Sequence, residues 1–231
     1  MATEIVAKNL LNVLKCVAEL GVQYAVDVRL VAVSKTFSAD LIFACYQQGQ
    51  RHFGENYVDE LESKASELAL LGASDICWHF IGRLQSNKVF LIKYRIIKMV
   101  LLKIKKICAI HGLWCIETLD SAKHSDLIQS IMVVLKKELK VFIQVNTSSE
   151  KNKGGVEPEG LDDLVSHIEQ NCPNLSFIGL MTIGSISESK NPETNSDFEL
   201  LVKLRNELAA RLNRTLELSM GMSSDYQLGK F

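Results

Sequence analysis

The chain is short of everything that would divide it or carry it to a membrane. Its 231 residues include three prolines and no Ser/Gly-rich tract, so no linker is visible and one domain over residues 1–231 is expected. No uncharged run approaches membrane-spanning length, which argues against a membrane span. No C-x-x-C pattern joins Cys16, Cys45, Cys77, Cys108, Cys115 and Cys172. Most of these lie within apolar runs and read as small, buried, reduced hydrophobes of a reducing compartment. A net charge of −1 leaves no global field to recruit nucleic acid. The N-terminal MATEIVAKNLLNVLKCVAEL spreads Glu4, Lys8, Lys15 and Glu19 among apolar residues at helical spacing. It predicts an amphipathic helix rather than a signal peptide. A soluble, cytoplasmic protein is the expectation.

What is present is alternation. Short apolar runs, LVAVS (30–34), CWHFIG (77–82), LWCIETL (113–119), LKVFIQVN (139–146), LSFIGLMTIG (175–184) and LELSMGMSS (216–224), are separated by amphipathic segments, with RHFGEN between the first two. Helices are predicted from Tyr57 to about Leu71, through Lys137, after Pro158, and from about Asn195 to Leu212. Seven strand–helix alternations, the last without its helix, predict a parallel sheet with helices outside it. The turn after the first strand, SKTFS, has no glycine, unlike the phosphate turn of open doubly wound sheets. The reading is therefore an α/β, TIM-type (β/α) barrel with seven recognisable units, one short of the eight that such a barrel takes.

LVAVSKT raises a chemical question, because a buried strand runs straight into a lysine. Strand alternation puts Val31, Val33 and Lys35 on one face and Leu30, Ala32 and Ser34 on the other. If the valines point inward, Lys35 caps the interior at the C-terminal mouth, where barrel active sites lie. There it would be partly desolvated and able to act as an amine nucleophile. A lysine that simply reaches water at a strand end is the other reading. Asn56 reads as a helix N-cap with Asp59 three residues on, and that position is also at the rim. His79 shares a face with Ile81 and reads as a core histidine; no ligand spacing around it suggests a metal. Asn146, Thr147, Thr182 and Gly184 end strands. Ser219-Met220-Gly221-Met222-Ser223-Ser224 is a small-residue loop whose backbone N–H groups could gather around an anion, or a flexible chain end.

In this order, VAVSKT, GQRHFGENYVDE, WHFIGRLQSNK, FIQVNTSSEKNKGG, GLMTIG and LSMGMSSD closely resemble the pyridoxal phosphate homeostasis proteins. These are free-standing relatives of the alanine racemase N-terminal barrel. The resemblance covers roughly residues 28–88 and 113–226. It implies a barrel that binds pyridoxal 5′-phosphate (PLP), with Lys35 as the Schiff-base lysine. Asn56 and His79 would line the cofactor side, and Ser219, Gly221, Met222 and Ser223 would form the first phosphate loop. It implies a carrier that regulates free PLP rather than an enzyme, with PLP-dependent apo-enzymes as recipients. A cofactor-free interaction or relic protein, and an amino-acid racemase, are the alternatives.

Two departures from the family stand out. The family continues into an eighth strand carrying Gly-Ser-Thr and an arginine, whereas this sequence reads QLGKF. Residues 89–112 are longer than the family's helix at this point. No acidic residue falls between Ile76 and Ile116, and six Lys/Arg fall between Lys93 and Lys106. Phe90, Tyr94, Ile97, Leu101, Ile104 and Cys108 recur at 3–4 spacing, so an inserted basic amphipathic helix is expected.

Overall fold

Short, mostly apolar runs form the strands and the amphipathic segments form the helices. The computed structural model describes residues 2–84, 93–148, 150, 153–191 and 193–229, with the backbone alone for 93–98. Two units are distinguished, and each is built the same way.

The first holds residues 2–82 and 105–114. Helix α1 (Ala2–Tyr24) turns Leu10 and Val17 inward and packs on α2 (Ala39–Gln47). Strands β1 (Ala32–Val33), β2 (His52–Glu55) and β3 (Cys77–Phe80) pair in parallel in that order. Between β2 and β3 runs α3 (Val58–Leu70), which buries Leu61 and Leu68. Phe53, Trp78 and Phe80 are buried from the strands.

The second holds 83–84, 93–104 and 115–229 among the described residues. Strands β4 (Leu113–Leu119), β5 (Leu139–Gln144), β6 (Leu175–Met181) and β7 (Glu217–Ser219) pair in parallel in chain order. Helices α5 (Ala122–Leu135), α6 (Leu161–Asn171) and α7 (Ser196–Leu212) alternate with them. Ser121 and Asn195 cap α5 and α7 by accepting from the backbone N–H three residues on, which satisfies an orphan donor at each start. The predicted start after Pro158 is a short 3-10 turn, Pro158–Gly160, leading into α6.

The expected parallel α/β alternation is thus found. The expected first strand is longer than the observed β1. Ser34 N–H still donates to Gly54 O at 2.9 Å, but the chain then leaves the ladder in a turn. The basic segment forms α4 (Lys93–Ala109). Among its described side chains Val100, Ile104, Ile107 and Cys108 are buried, spaced as one helical face, whereas Leu101 is half-buried. Phe90 and the side chains of Tyr94 and Ile97 lie outside the described residues. Lys106 pairs with Asp59 at 3.0 Å and Glu62 at 3.5 Å, so one of the insert's cations is matched within the chain. No helix among the described residues is long and apolar enough to cross a membrane.

Candidate functional site

Glycine 54 identifies the face that carries the first group of candidates. A Cβ added there would lie 3.1 Å from Ile81 Cδ1, 3.3 Å from Val31 Cγ1 and 3.5 Å from Val33 Cγ2. Val31, Val33, Gly54 and Ile81 therefore share one side, as strand alternation predicts. Val33 pairs with Gly54, and Gly54 with His79. His79 is buried, lies 2.9 Å through Nε2 from His52 Nδ1, and stacks on Trp114 at 4.7 Å between centroids. Arg29 covers the same indole at 4.5 Å.

Lys35 sits in a tight turn. Phe37 N–H donates to Ser34 O at 3.1 Å, so Lys35 and Thr36 are the turn's two central residues. Thr36 has φ 66°, a left-handed value that a β-branched residue adopts at a cost. A neighbouring element holds it there. Thr36 N–H donates to Glu60 Oε2 at 2.9 Å, and Lys64 Nζ donates to that same oxygen at 2.7 Å. Lys64 also donates to Ser34 O at 2.9 Å and to Glu55 Oε1 at 2.7 Å, while Ser34 Oγ donates to Glu55 Oε1 at 2.7 Å. Both residues flanking Lys35 are thus pinned by charges of β2 and α3. The Lys64 side chain is 9% exposed and that of Glu55 is fully buried. The Lys64 bond, followed by the Thr36 N–H, holds the Glu60 carboxyl below its ordinary range.

Two expectations need correction here. Lys35 is exposed, not partly desolvated, because Val33 beneath it is itself 46% exposed and the turn carries the lysine off the ladder. Asn56 is not the N-cap of α3. The chain stays extended through Tyr57 (φ −115°, ψ 127°), which takes the cap position without a side-chain bond. Asn56 is half-buried and its Oδ1 is buried with no hydrogen-bond partner among the described residues. Such an orphaned acceptor is uncommon in a native interior.

In the second unit Ser219 Oγ donates to the buried Glu117 Oε2 at 2.5 Å. Gly221 follows at φ 96°, and a Cβ there would lie 2.9 Å from Tyr226 Cα, so the loop requires glycine twice over. The expectation of N–H groups gathered for an anion is met differently. Met222 N–H already donates to Asp225 Oδ1 at 2.6 Å, while Asp225 N–H and Tyr226 N–H both return to Met222 O. Asp225 is buried and its Oδ2 has no partner among the described residues. Met222 and Ser223 are exposed. Asn146, Thr147 and Thr182 are buried strand ends. Thr147 and Thr182 hydroxyls lie 2.8 Å apart, and Asn146 Nδ2 donates to Glu157 at 2.8 Å.

Sequence reasoning missed Glu55, Glu60 and Lys64. The i,i+4 spacing of Glu60 and Lys64 was the available signal, but it looks the same on any solvated helix face.

The family model for the alanine racemase N-terminal domain matches residues 12–230. The pyridoxal phosphate homeostasis protein of Caenorhabditis elegans is 46% identical over 234 residues, covering 98% of this chain and 89% of that protein. The human protein of the same name is 44% identical over 209 residues, covering 88% and 70%. Among solved structures, PipY of Synechococcus elongatus with PLP bound is 29% identical, covers 93% of this chain and 91% of its own, and superposes with a TM-score of 0.71. The parallel α/β alternation and these similarities agree, and the chain belongs to the pyridoxal phosphate homeostasis proteins of the alanine racemase N-terminal domain family.

Proposed function

We propose that this chain carries PLP reversibly on Lys35 and so takes part in holding the intracellular level of the free cofactor. The observation that carries the reading is the Lys35 turn. An exposed primary amine stands on a backbone held on both sides by the Ser34–Glu55–Lys64–Glu60–Thr36 network. A solvated surface lysine has no need of a costly left-handed threonine pinned beside it. The relatives are named for cofactor homeostasis and not for a reaction, which agrees with a carrier.

The residues present fit the group. The orphaned Asn56 Oδ1 offers a buried acceptor to a polar ring substituent, and His79 presents a ring on the same face as Gly54. In the loop from Ser219 to Ser223, Met222 N–H and the Ser219 hydroxyl are committed to Asp225 and Glu117, so the Gly221 and Ser223 N–H groups and the exposed Ser223 hydroxyl are what it would offer a phosphate. Bound PLP supplies an aldehyde that condenses reversibly with a primary amine. Lys35 supplies that amine, and its exposure lets the amine of a recipient apo-enzyme compete for the cofactor. We read the seven strands as part of an eight-stranded barrel whose last unit completes the phosphate site. Six cysteines, none of them in a disulfide among the described residues, favour the cytoplasm as the setting.

The test is direct. The protein is mixed with PLP, reduced with borohydride, and mapped by intact and peptide mass. A single adduct on Lys35 is expected, and Lys35→Ala should lose it. No adduct on the wild type, or one undiminished in Lys35→Ala, overturns the assignment. Lys35-dependent isotope exchange at the α-carbon of alanine would instead make the chain an enzyme.

A further inference from the structure

Away from Lys35, on the outer helices of the second unit, three different metal-ligating side chains converge. Asp126 lies in the first turns of α5, His167 on α6, and Cys172 is the C-cap residue of α6. Their ligand atoms all lie within 4.8 Å of one another. His167 Nε2 is 2.7 Å from Asp126 Oδ1, and Cys172 Sγ is 3.9 Å from that same oxygen. We propose that Asp126, His167 and Cys172 form a surface site for a borderline-soft, tetrahedral divalent cation of the zinc class, clipping the start of α5 to the end of α6.

The donor set is the first argument. One carboxylate oxygen, one imidazole nitrogen and one thiolate sulfur make a mixed N/O/S set suited to zinc and poorly suited to magnesium or calcium, which take oxygen. Geometry is the second. Around a tetrahedral ion with bonds of about 2.0–2.3 Å, ligand atoms sit roughly 3.3–3.7 Å apart. The observed 2.7 and 3.9 Å bracket that separation and the third pair lies within 4.8 Å, so shifts on the order of 1 Å suffice. Binding displaces the thiol proton to solvent and leaves the imidazole neutral. The His167 and Asp126 side chains are 29% and 59% exposed, so the ion has an entry path and a fourth position open to water or another ligand.

The site does not depend on the cofactor reading, and its test never touches Lys35. The full chain, stripped by chelator, is titrated with cobalt(II) and then zinc(II). One equivalent of cobalt should give thiolate-to-metal charge-transfer absorption in the near ultraviolet, and zinc should quench it. Zinc alone should raise the Tm. Cys172→Ser should abolish the band, and Asp126→Asn and His167→Gln should each weaken binding at least about tenfold. Because Cys172 is buried, its variant could fail to fold. His167→Gln changes a partly exposed side chain and decides the matter alone. A missing band, a band undiminished in His167→Gln, or a zinc-induced Tm shift that survives that substitution overturns the proposal.

Discussion

Lys64→Met should cost about 3–5 kcal/mol of stability, the range for removing one partner of a buried ion pair. The reason lies in what stays behind. Glu55 is fully buried, and its Oε2 already lacks a partner among the described residues. Without Lys64, its charge rests on the Ser34 hydroxyl alone among the bonds observed. Ser34 O also loses the ammonium that braces the turn, and Glu60 loses the cation that keeps it beside Thr36. Urea denaturation would register the loss as a lower midpoint at unchanged slope. A Glu55→Gln/Lys64→Met pair should recover most of it, because the uncompensated charge is gone. If the pair is as unstable as the single variant, the cost comes from packing and the electrostatic account fails. The functional arm is separate. Under conditions where Lys64→Met is fully folded, the borohydride-fixed yield on Lys35 should still fall, since the turn no longer holds the amine in one place.

Acid should loosen the same network from another side. Glu60 has its pKa lowered by Lys64 and the Thr36 N–H, so the folded state prefers the carboxylate more than the unfolded chain does. That contribution is fully present above the ordinary value of 4.5 and is lost as the pH falls through the depressed one. Protection of the Thr36 amide from exchange, taken relative to its intrinsic rate at each pH and followed between pH 6 and pH 3 (about one to two units either side of that value), should fall in that window. In Glu60→Gln it should be low already at pH 6. An amide equally protected at both ends of the window would mean that Glu60 does not hold the turn.

The strands and their order were legible because the chain spells them as short apolar runs at regular intervals. β4 begins and ends where LWCIETL does. Face alternation on β1 was legible too, since a period of two needs no tertiary information. The exposure of Lys35 was not, because it depends on where the ladder stops and on what covers Val33. The N-cap at Asn56 failed for a related reason. Asn followed by Asp59 is a sound local signal, yet the strand stays extended one residue longer and Tyr57 takes the position. Asp225 holding Met222 N–H was also out of reach. The sequence shows small residues that could receive an anion, but not that the chain's own carboxylate takes one of the donors. In each case a long-range or loop-closing contact overrode a local preference.

Gly82→Ala should be the most damaging of the glycine substitutions, at about 3 kcal/mol or more. A Cβ there would lie 1.9 Å from Asn56 O, 2.7 Å from Asn56 C and 2.9 Å from Asn56 Cα. All three are backbone atoms of one residue, so no rotamer change relieves the overlap and the end of β2 itself must move. Gly54→Ala is the informative contrast. Its new methyl would meet only side-chain methyls of Ile81, Val31 and Val33, at 3.1–3.5 Å, and these can give by a few tenths of an ångström. Gly49→Ala and Gly72→Ala isolate the backbone component. Nothing lies within 4 Å of either Cβ, but both glycines sit at positive φ, so about 1–2 kcal/mol is expected from conformation alone. The order Gly82 well above Gly49 and Gly72, measured by urea midpoints, would assign the cost at Gly82 to the approach of two backbones. Equal costs would assign it to glycine's freedom in general. Because that approach also positions Asn56, whose Oδ1 is the orphaned acceptor, any folded Gly82→Ala protein should retain Lys35 but bind PLP more weakly than Gly54→Ala does.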